Sequence, residues 1–199
     1  MRRGLTALFL VALLAGNARG DEVISVSDGW RVSSAGPLTV DGGLLLALPT
    51  ALGTGLSSGV GLGVTRGRLL GWEARASWST ATESSIPWTV TQDDIRLRAG
   101  AVLQHVLGRA RVGLRLGLGP TIVYESRLRN QGTRAGLTGS DLQTSATEVF
   151  AAGELEGVIG LHIFGPWLLA MSGGPGLALG SSGAARGGWL SQIGVAWQP

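Results

Sequence analysis

DDIRLRAGAVLQHVLGRARVGLRLGLGPTIVYESRLR, residues Asp93–Arg129, decides the fold. Ile95, Leu97, Ala99, Ala101 and Leu103 share one face, and Asp94, Arg96, Arg98, Gly100 and Gln104 share the other. After Gly108-Arg109 the alternation resumes: Val112, Leu114, Leu116, Leu118, Ile122 and Tyr124 oppose Arg111, Gly113, Arg115, Gly117, Gly119, Thr121, Glu125 and Arg127. A period of two is the mark of a strand. Strands in soluble proteins average about five or six residues. Here the pattern predicts two much longer strands and a tight hairpin.

Working outward, six more stretches read as strands: about Gly43–Gly53, Gly59–Arg66, Leu69–Thr80, Thr147–Ile163, Trp167–Leu179 and Gly188–Trp197. Pro49 lacks an amide hydrogen, so a bulge is expected beside it. No amphipathic helix is visible after the first twenty residues. Short turns are predicted at Arg66–Arg68, Gly108-Arg109 and Phe164–Pro166, and the longest loops at 81–92 and 130–146. Short turns at one end and long loops at the other predict an all-β fold: an eight-stranded antiparallel up-and-down transmembrane β-barrel with its short turns in the periplasm.

Met1–Gly20 has a basic start at Arg2-Arg3, an apolar run from Leu5 to Ala15 and then small residues. This is the pattern of a cleaved secretory signal peptide, with candidate sites after Ala18 and Gly20. The apolar run is too short to span a bilayer. The formal charge of +3 equals the contribution of Arg2, Arg3 and Arg19. A chain cut after Gly20 is therefore neutral and offers no argument for a nucleic-acid partner. The division expected is 1–20 signal peptide, 21–42 periplasmic leader and 43–199 barrel. Trp30 in the leader is read as part of a segment lying against the barrel rim. The chain has no cysteine, so disulfides and thiolate metal sites are excluded.

The short turns fix a register. With a two-residue loop at Gly108-Arg109, Arg98 faces Gly119 and Gln104 faces Gly113. Three-residue loops at the other two turns place Glu73 opposite Gly61, Arg75 opposite Gly59, Glu154 opposite Gly176 and Glu156 opposite Gly174. Arg115, facing Val102, is the exception. An eight-strand barrel is only wide enough for side chains to fill it. Glycine opposite a long charged side chain makes room for that chain.

The same parity puts Trp72, Trp78, Tyr124, Trp167, Trp189 and Trp197 on the apolar face, near the two ends of the strands. Two interfacial girdles are the expectation. A soluble barrel would have to pack this face inward, and six large aromatics would overfill it. A mid-depth arginine facing lipid costs about 2–4 kcal/mol, so Arg98 and Arg115 are expected inside. In this architecture the chain resembles small outer-membrane barrels of Gram-negative bacteria, the OmpA transmembrane domain and OmpX type. The resemblance covers Gly43–Trp197. It implies the outer membrane as location and the lipid bilayer, lipopolysaccharide and the barrel insertion machinery as partners. Such barrels usually end on an aromatic residue, whereas here Gln198-Pro199 follow Trp197.

The inward polar set expected is Glu73, Arg75, Arg96, Arg98, Arg115, Glu125, Glu154 and Glu156. Both signs are equally represented, and a packed ion-pair core is the preferred reading over a pore lining. The two histidines, His105 outward and His162 inward, form no set with a nucleophile and an acid. No metal-ligand spacing is present. The runs GVGLG and GLGLG fit no phosphate-binding loop. No cofactor is expected. Trp88 is the best contact candidate on the loops 81–92 and 130–146, which suit an extracellular ligand. The functional expectation is a non-enzymatic envelope-structural or surface-interaction role. The alternatives are a narrow passive pore for small solutes and, behind it, a lipid-modifying enzyme.

Overall fold

The computed structural model describes residues 23–26, 30–33, 36, 38–49, 56–67, 69–130 and 143–199. The signal-peptide segment, the Trp30 side chain, residues 50–53 of the expected first strand and most of the 130–146 loop lie outside the description. Two four-residue strands, β1 (Val23–Val26) and β2 (Trp30–Ser33), pair antiparallel as a separate sheet. Eight further strands follow: β3 (Leu38–Pro49), β4 (Ser57–Gly67), β5 (Leu70–Ser84), β6 (Trp88–Leu107), β7 (Ala110–Arg129), β8 (Gln143–Phe164), β9 (Trp167–Gly180) and β10 (Ala185–Trp197). Each pairs antiparallel with its neighbour in sequence, and β10 closes on β3. The described residues contain no helix.

The barrel is apolar outside and charged inside. Leu44, Leu114, Leu116, Leu118, Leu155 and Ile159 are all about half exposed or more on the outer surface. Glu73, Arg75, Arg98, Arg115, Glu154 and Glu156 are buried within. Closure leaves the barrel without a free sheet edge at mid-height, so backbone polar groups there are satisfied between strands, as a hydrocarbon surround requires.

Several strands are longer than the sequence expectation, β8 beginning at Gln143 and β10 at Ala185, and three further differences bear on the site. The first barrel strand begins at Leu38, not Gly43. Leu38 pairs with Arg66 and Val40 with both Val64 and Trp197, so the expected leader contributes the start of a barrel strand. Residues 81–92 are not a loop. β5 runs to Ser84 and β6 begins at Trp88, leaving Ser85, Ile86 and Pro87 as the connection. The third difference is the β4–β5 register. Glu73 pairs with Thr65 and Arg75 with Gly63, not with Gly61 and Gly59. β4 extends through Gly67, which pairs with Gly71, so the turn lies later than Arg66–Arg68. An even-numbered slip leaves every side chain on its expected face, so the parity argument was blind to it. The β6–β7 register and the mid-strand β8–β9 register agree with expectation, Gln104 pairing with Gly113 and Glu154 with Gly176. After His162 the β8–β9 register shifts, so Phe164 pairs with Trp167 and the turn is Gly165-Pro166, not Phe164–Pro166. β3 ends at Pro49, where the missing amide donor costs the sheet no interior bond.

The strands are unequal in height. β6 and β7 have 20 residues each and β8 has 22, while β3 and β4 have 12 and 11. About 9–11 tilted residues cross a bilayer. At the end opposite Leu38 and Trp197, β5 continues past Thr80, its last residue opposite a β4 partner, Ser58. On the other side, β8 extends beyond Phe150, which pairs with the last residue of β9. The excess forms a raised four-stranded wall of β5–β8. Its outward rows change abruptly with height. Trp78, Ile95, Ile122 and Val149 make one paired row. The next is Thr80, Asp93, Tyr124 and Thr147, and the one above it Thr82, Thr91, Ser126 and Ser145. Apolar rows give way to hydroxyls within one step of the pleat.

Candidate functional site: the charged lumen and the raised wall

Six charges cross the lumen at mid-height, contributed by β5, β6, β7 and β8. Arg75 grips Glu156 with both terminal nitrogens, donating from Nη1 at 3.0 Å and Nη2 at 2.9 Å. Its Nη2 also reaches Glu154 at 3.4 Å. Arg115 donates from Nε to Glu156 at 2.9 Å, its Nη2 lies 2.8 Å from the same carboxylate, and it donates further to Ser172. Arg98 approaches Glu154 at 2.7 Å and donates to the Pro120 carbonyl and Thr121 hydroxyl, each at 2.7 Å. Planar, forked guanidinium groups suit such multiple contacts.

Glu73 is the odd member. It is 1% exposed, and neither carboxylate oxygen has a hydrogen-bond partner. Arg75 Nε at 3.5 Å and Arg115 Nη1 at 3.8 Å hold it by charge alone. Three arginines thus balance three glutamates. Such balance is what permits charges buried in a narrow lumen, because a single unpaired one costs several kcal/mol.

Room for the network comes from glycine. Gly63 lies opposite Arg75, and a Cβ there would sit 2.9 Å from Arg75 Cγ and 2.7 Å from Asp41 Oδ1. Gly119, at φ +155°, lets the chain bend where Arg98 reaches its carbonyl; a Cβ there would sit 2.2 Å from the Leu97 oxygen.

The network divides the lumen into two small cavities. One of about 90 Å³ lies towards the raised wall, lined in part by Asp94, Arg96, Phe150 and Arg186. The other, about 60 Å³, lies towards the termini and is lined in part by Asp41, Glu73, Gln104 and Arg111. At that end Arg111 donates to Thr39 at 3.1 Å and to the Gln198 side chain, while the Gln198 amide bonds the Pro166 carbonyl at 2.8 Å. Gln198 therefore reaches over the mouth and narrows it.

Of the expected polar set, Glu73, Arg75, Arg98, Arg115, Glu154 and Glu156 converge. Arg96 stands one layer above, donating to Asp94 at 2.7 Å and to Ser79 at 2.9 Å. Glu125 does not join them. It pairs with Arg127 on the raised wall, where that arginine is largely in solvent. Asp94 and Arg111 were missing from the expected set although their parity placed them inward. Arg186, over the Phe150 ring at 4.5 Å, carried no sequence signal because its strand was expected to begin only at Gly188.

The aromatic residues occupy the outer face. Trp167 and Trp197 pair with each other at the terminal end. Trp72 pairs with Arg66 near the same end. Trp78, Tyr124 and Trp189 lie towards the wall end and are all more than 40% exposed. Trp88 is not a loop residue. It starts β6 on the inward face of the wall, with Arg129 5.2 Å from its ring centre. His105 is exposed outside and His162 half buried inside, both near the terminal end.

No protein-family model and no curated protein sequence matches the chain. Solved structures do. The attachment invasion locus protein Ail of Yersinia pestis superimposes with a TM-score of 0.54 at 12% identity, over 81% of this chain and 99% of that one. Neisserial surface protein A superimposes with a TM-score of 0.54 at 13% identity, over 81% and 97%. The chain has the fold of the small eight-stranded outer-membrane β-barrels. At these identities the likeness is one of fold. It makes the outer apolar belt the lipid-facing surface of a transmembrane barrel. Ail has also been crystallised with the heparin analogue sucrose octasulfate; that structure superimposes at 11% identity with the same TM-score, 0.54.

Proposed function

We propose that this chain is a non-enzymatic barrel of the outer membrane, closed through its centre, which presents the raised β5–β8 wall to the outside as a contact surface. The six-charge network across the lumen carries the reading. Side chains that fill the bore and neutralise one another make a strut, not a conduit. The orientation follows from the shape: termini and the shortest turns in the periplasm, the wall outside. Met1–Gly20 as signal peptide and the insertion machinery and lipopolysaccharide as partners belong to the same reading.

The wall tip supplies contact chemistry. Ile86 is 93% exposed, and Trp88, Arg127 and Arg129 stand beside it on the inward face. An aromatic ring with guanidinium groups suits acidic or sulfated saccharides. The sulfated ligand bound by Ail is a reasonable first probe. A non-enzymatic role is supported by the two histidines: they lie on opposite faces, away from the wall.

Planar-bilayer recording of the purified protein tests the closed lumen. Absence of stable conductance is expected. A well-defined single-channel level would overturn it in favour of the narrow passive pore.

A further inference from the structure

We propose that the outward face of the raised wall is a docking surface for the sugar portion of outer-leaflet glycolipid, that is, of lipopolysaccharide. The inference rests on the membrane placement and orientation given under Proposed function.

The two faces of the wall stand at the same height and differ in chemistry. The inward face carries Glu83, Glu125, Arg127, Arg129 and Glu148. Above the Trp78 row the outward face carries a single charge, Asp93, and eight of its twelve paired positions are serine or threonine. The top outward row, Ser84, Thr89, Leu128 and Gln143, keeps the pattern. Water alone bathing both faces gives no reason for this segregation.

Position supplies the reason. The outward face continues directly from the apolar belt. Each row adds two residues, about 7 Å along a strand, or about 5 Å of height at a 45° tilt. Three rows therefore rise about 15 Å above the acyl chains, through the layer where lipid headgroups lie. A sugar hydroxyl both donates and accepts, as serine and threonine do. The wall hydroxyls are already ordered across strands: Thr82 and Thr91 lie 3.4 Å apart, and Ser84 and Thr89 3.3 Å apart. Threonine's stiff χ1 keeps such a ladder in place. The chemistry also says which part of the glycolipid is read. Phosphate calls for arginine, and this chain puts the wall's arginines on the other face. Neutral hydroxyls are the match.

The test is amide hydrogen exchange across residues 80–93, 124–128 and 143–147 of the full-length protein in three bilayers. These are phospholipid alone, phospholipid with lipid A lacking core sugars, and phospholipid with lipopolysaccharide bearing its core. About tenfold slower exchange is expected with the core sugars only. The variant Thr82→Val/Thr91→Val/Ser126→Ala/Ser145→Ala keeps strand-compatible shapes and should lose that difference, and Thr82→Ser/Thr91→Ser should retain it. Equal exchange in all three bilayers, or protection by lipid A alone, would overturn the proposal. Protection by free core oligosaccharide added to phospholipid bilayers would overturn the lipid-bound source. Heat-modifiable gel mobility is followed in parallel. If it is absent in every bilayer, the membrane placement fails, and the proposal fails with it.

Discussion

Arg75 and Glu156 lie 81 residues apart, on strands separated by two others, yet their side chains meet across the lumen in a two-bonded fork at 3.0 and 2.9 Å. Glu156 also serves Arg115. Glu156→Ala therefore removes the nearest carboxylate of two buried guanidinium groups at once and leaves them an excess of positive charge. It should lower stability by about 3–5 kcal/mol. Glu125→Ala strands only Arg127, whose side chain is half exposed, and should cost less, about 1 kcal/mol. Urea unfolding of both variants in lipid vesicles checks the contrast. Equal losses would show that the central network is not dry.

The height of the lipid belt is testable one residue at a time. Leu116 is paired with Ala101 and Leu155 at mid-belt, while Leu128 stands three rows above the Ile122 row. Leu116→Arg should destabilise the barrel by about 2–4 kcal/mol and Leu128→Arg by about 0–1 kcal/mol. A large loss at Leu128 would move the membrane boundary up the wall and remove the headgroup-level surface argued above.

The pattern of legibility follows from the same boundary. Asp93–Arg129 announced its two strands because lipid on one side and a packed lumen on the other enforce alternation. Glu73, Arg98, Arg115, Glu154 and Glu156 could be assigned inward for that reason. Where the wall rises into water both faces are polar, the period of two vanishes, and ATESSIPWTVTQ, residues 81–92, reads as a loop. Ser84 and Trp88 are nonetheless in strands, held by pairing with Thr89 and Arg129, which side-chain polarity does not report. The exact partner of Arg75 was beyond reach too. Several acids share its face, and only the strand stagger brings Glu73, Glu154 and Glu156, rather than the others, within reach of it.

Close backbone approach gives a third contrast. A Cβ on Gly100 would lie 1.8 Å from the Leu116 carbonyl oxygen, whereas at Gly108, φ +62°, nothing lies within 4 Å. Gly100→Ala must push β6 from β7, at a cost of about 1–3 kcal/mol. Gly108→Asn should be nearly neutral, since asparagine tolerates the left-handed region. Unfolding midpoints of the two variants decide it. A neutral Gly100→Ala would mean that the β6–β7 pair is less closely approached than 1.8 Å implies.

Closure of the lumen can be separated from its stability. Removing one charge leaves others unpaired, but removing Arg75, Arg115, Glu73 and Glu156 together keeps the balance, because Arg98 retains Glu154 at 2.7 Å. The quadruple variant, with serine at each position, replaces four long side chains with short polar ones. It should join the cavities of about 90 and 60 Å³ into one water-filled passage. Arg111 and Gln198 still narrow the terminal mouth, so Arg111→Ser is added as a fifth change. In planar bilayers the fivefold variant should show a stable small conductance, the quadruple variant a smaller or flickering one, and the unaltered protein none. Equal conductance of the quadruple and fivefold variants would show that the mouth contact is no barrier. A silent fivefold variant that retains heat-modifiable mobility would show that the strands themselves, drawn inward around the glycines, close the bore.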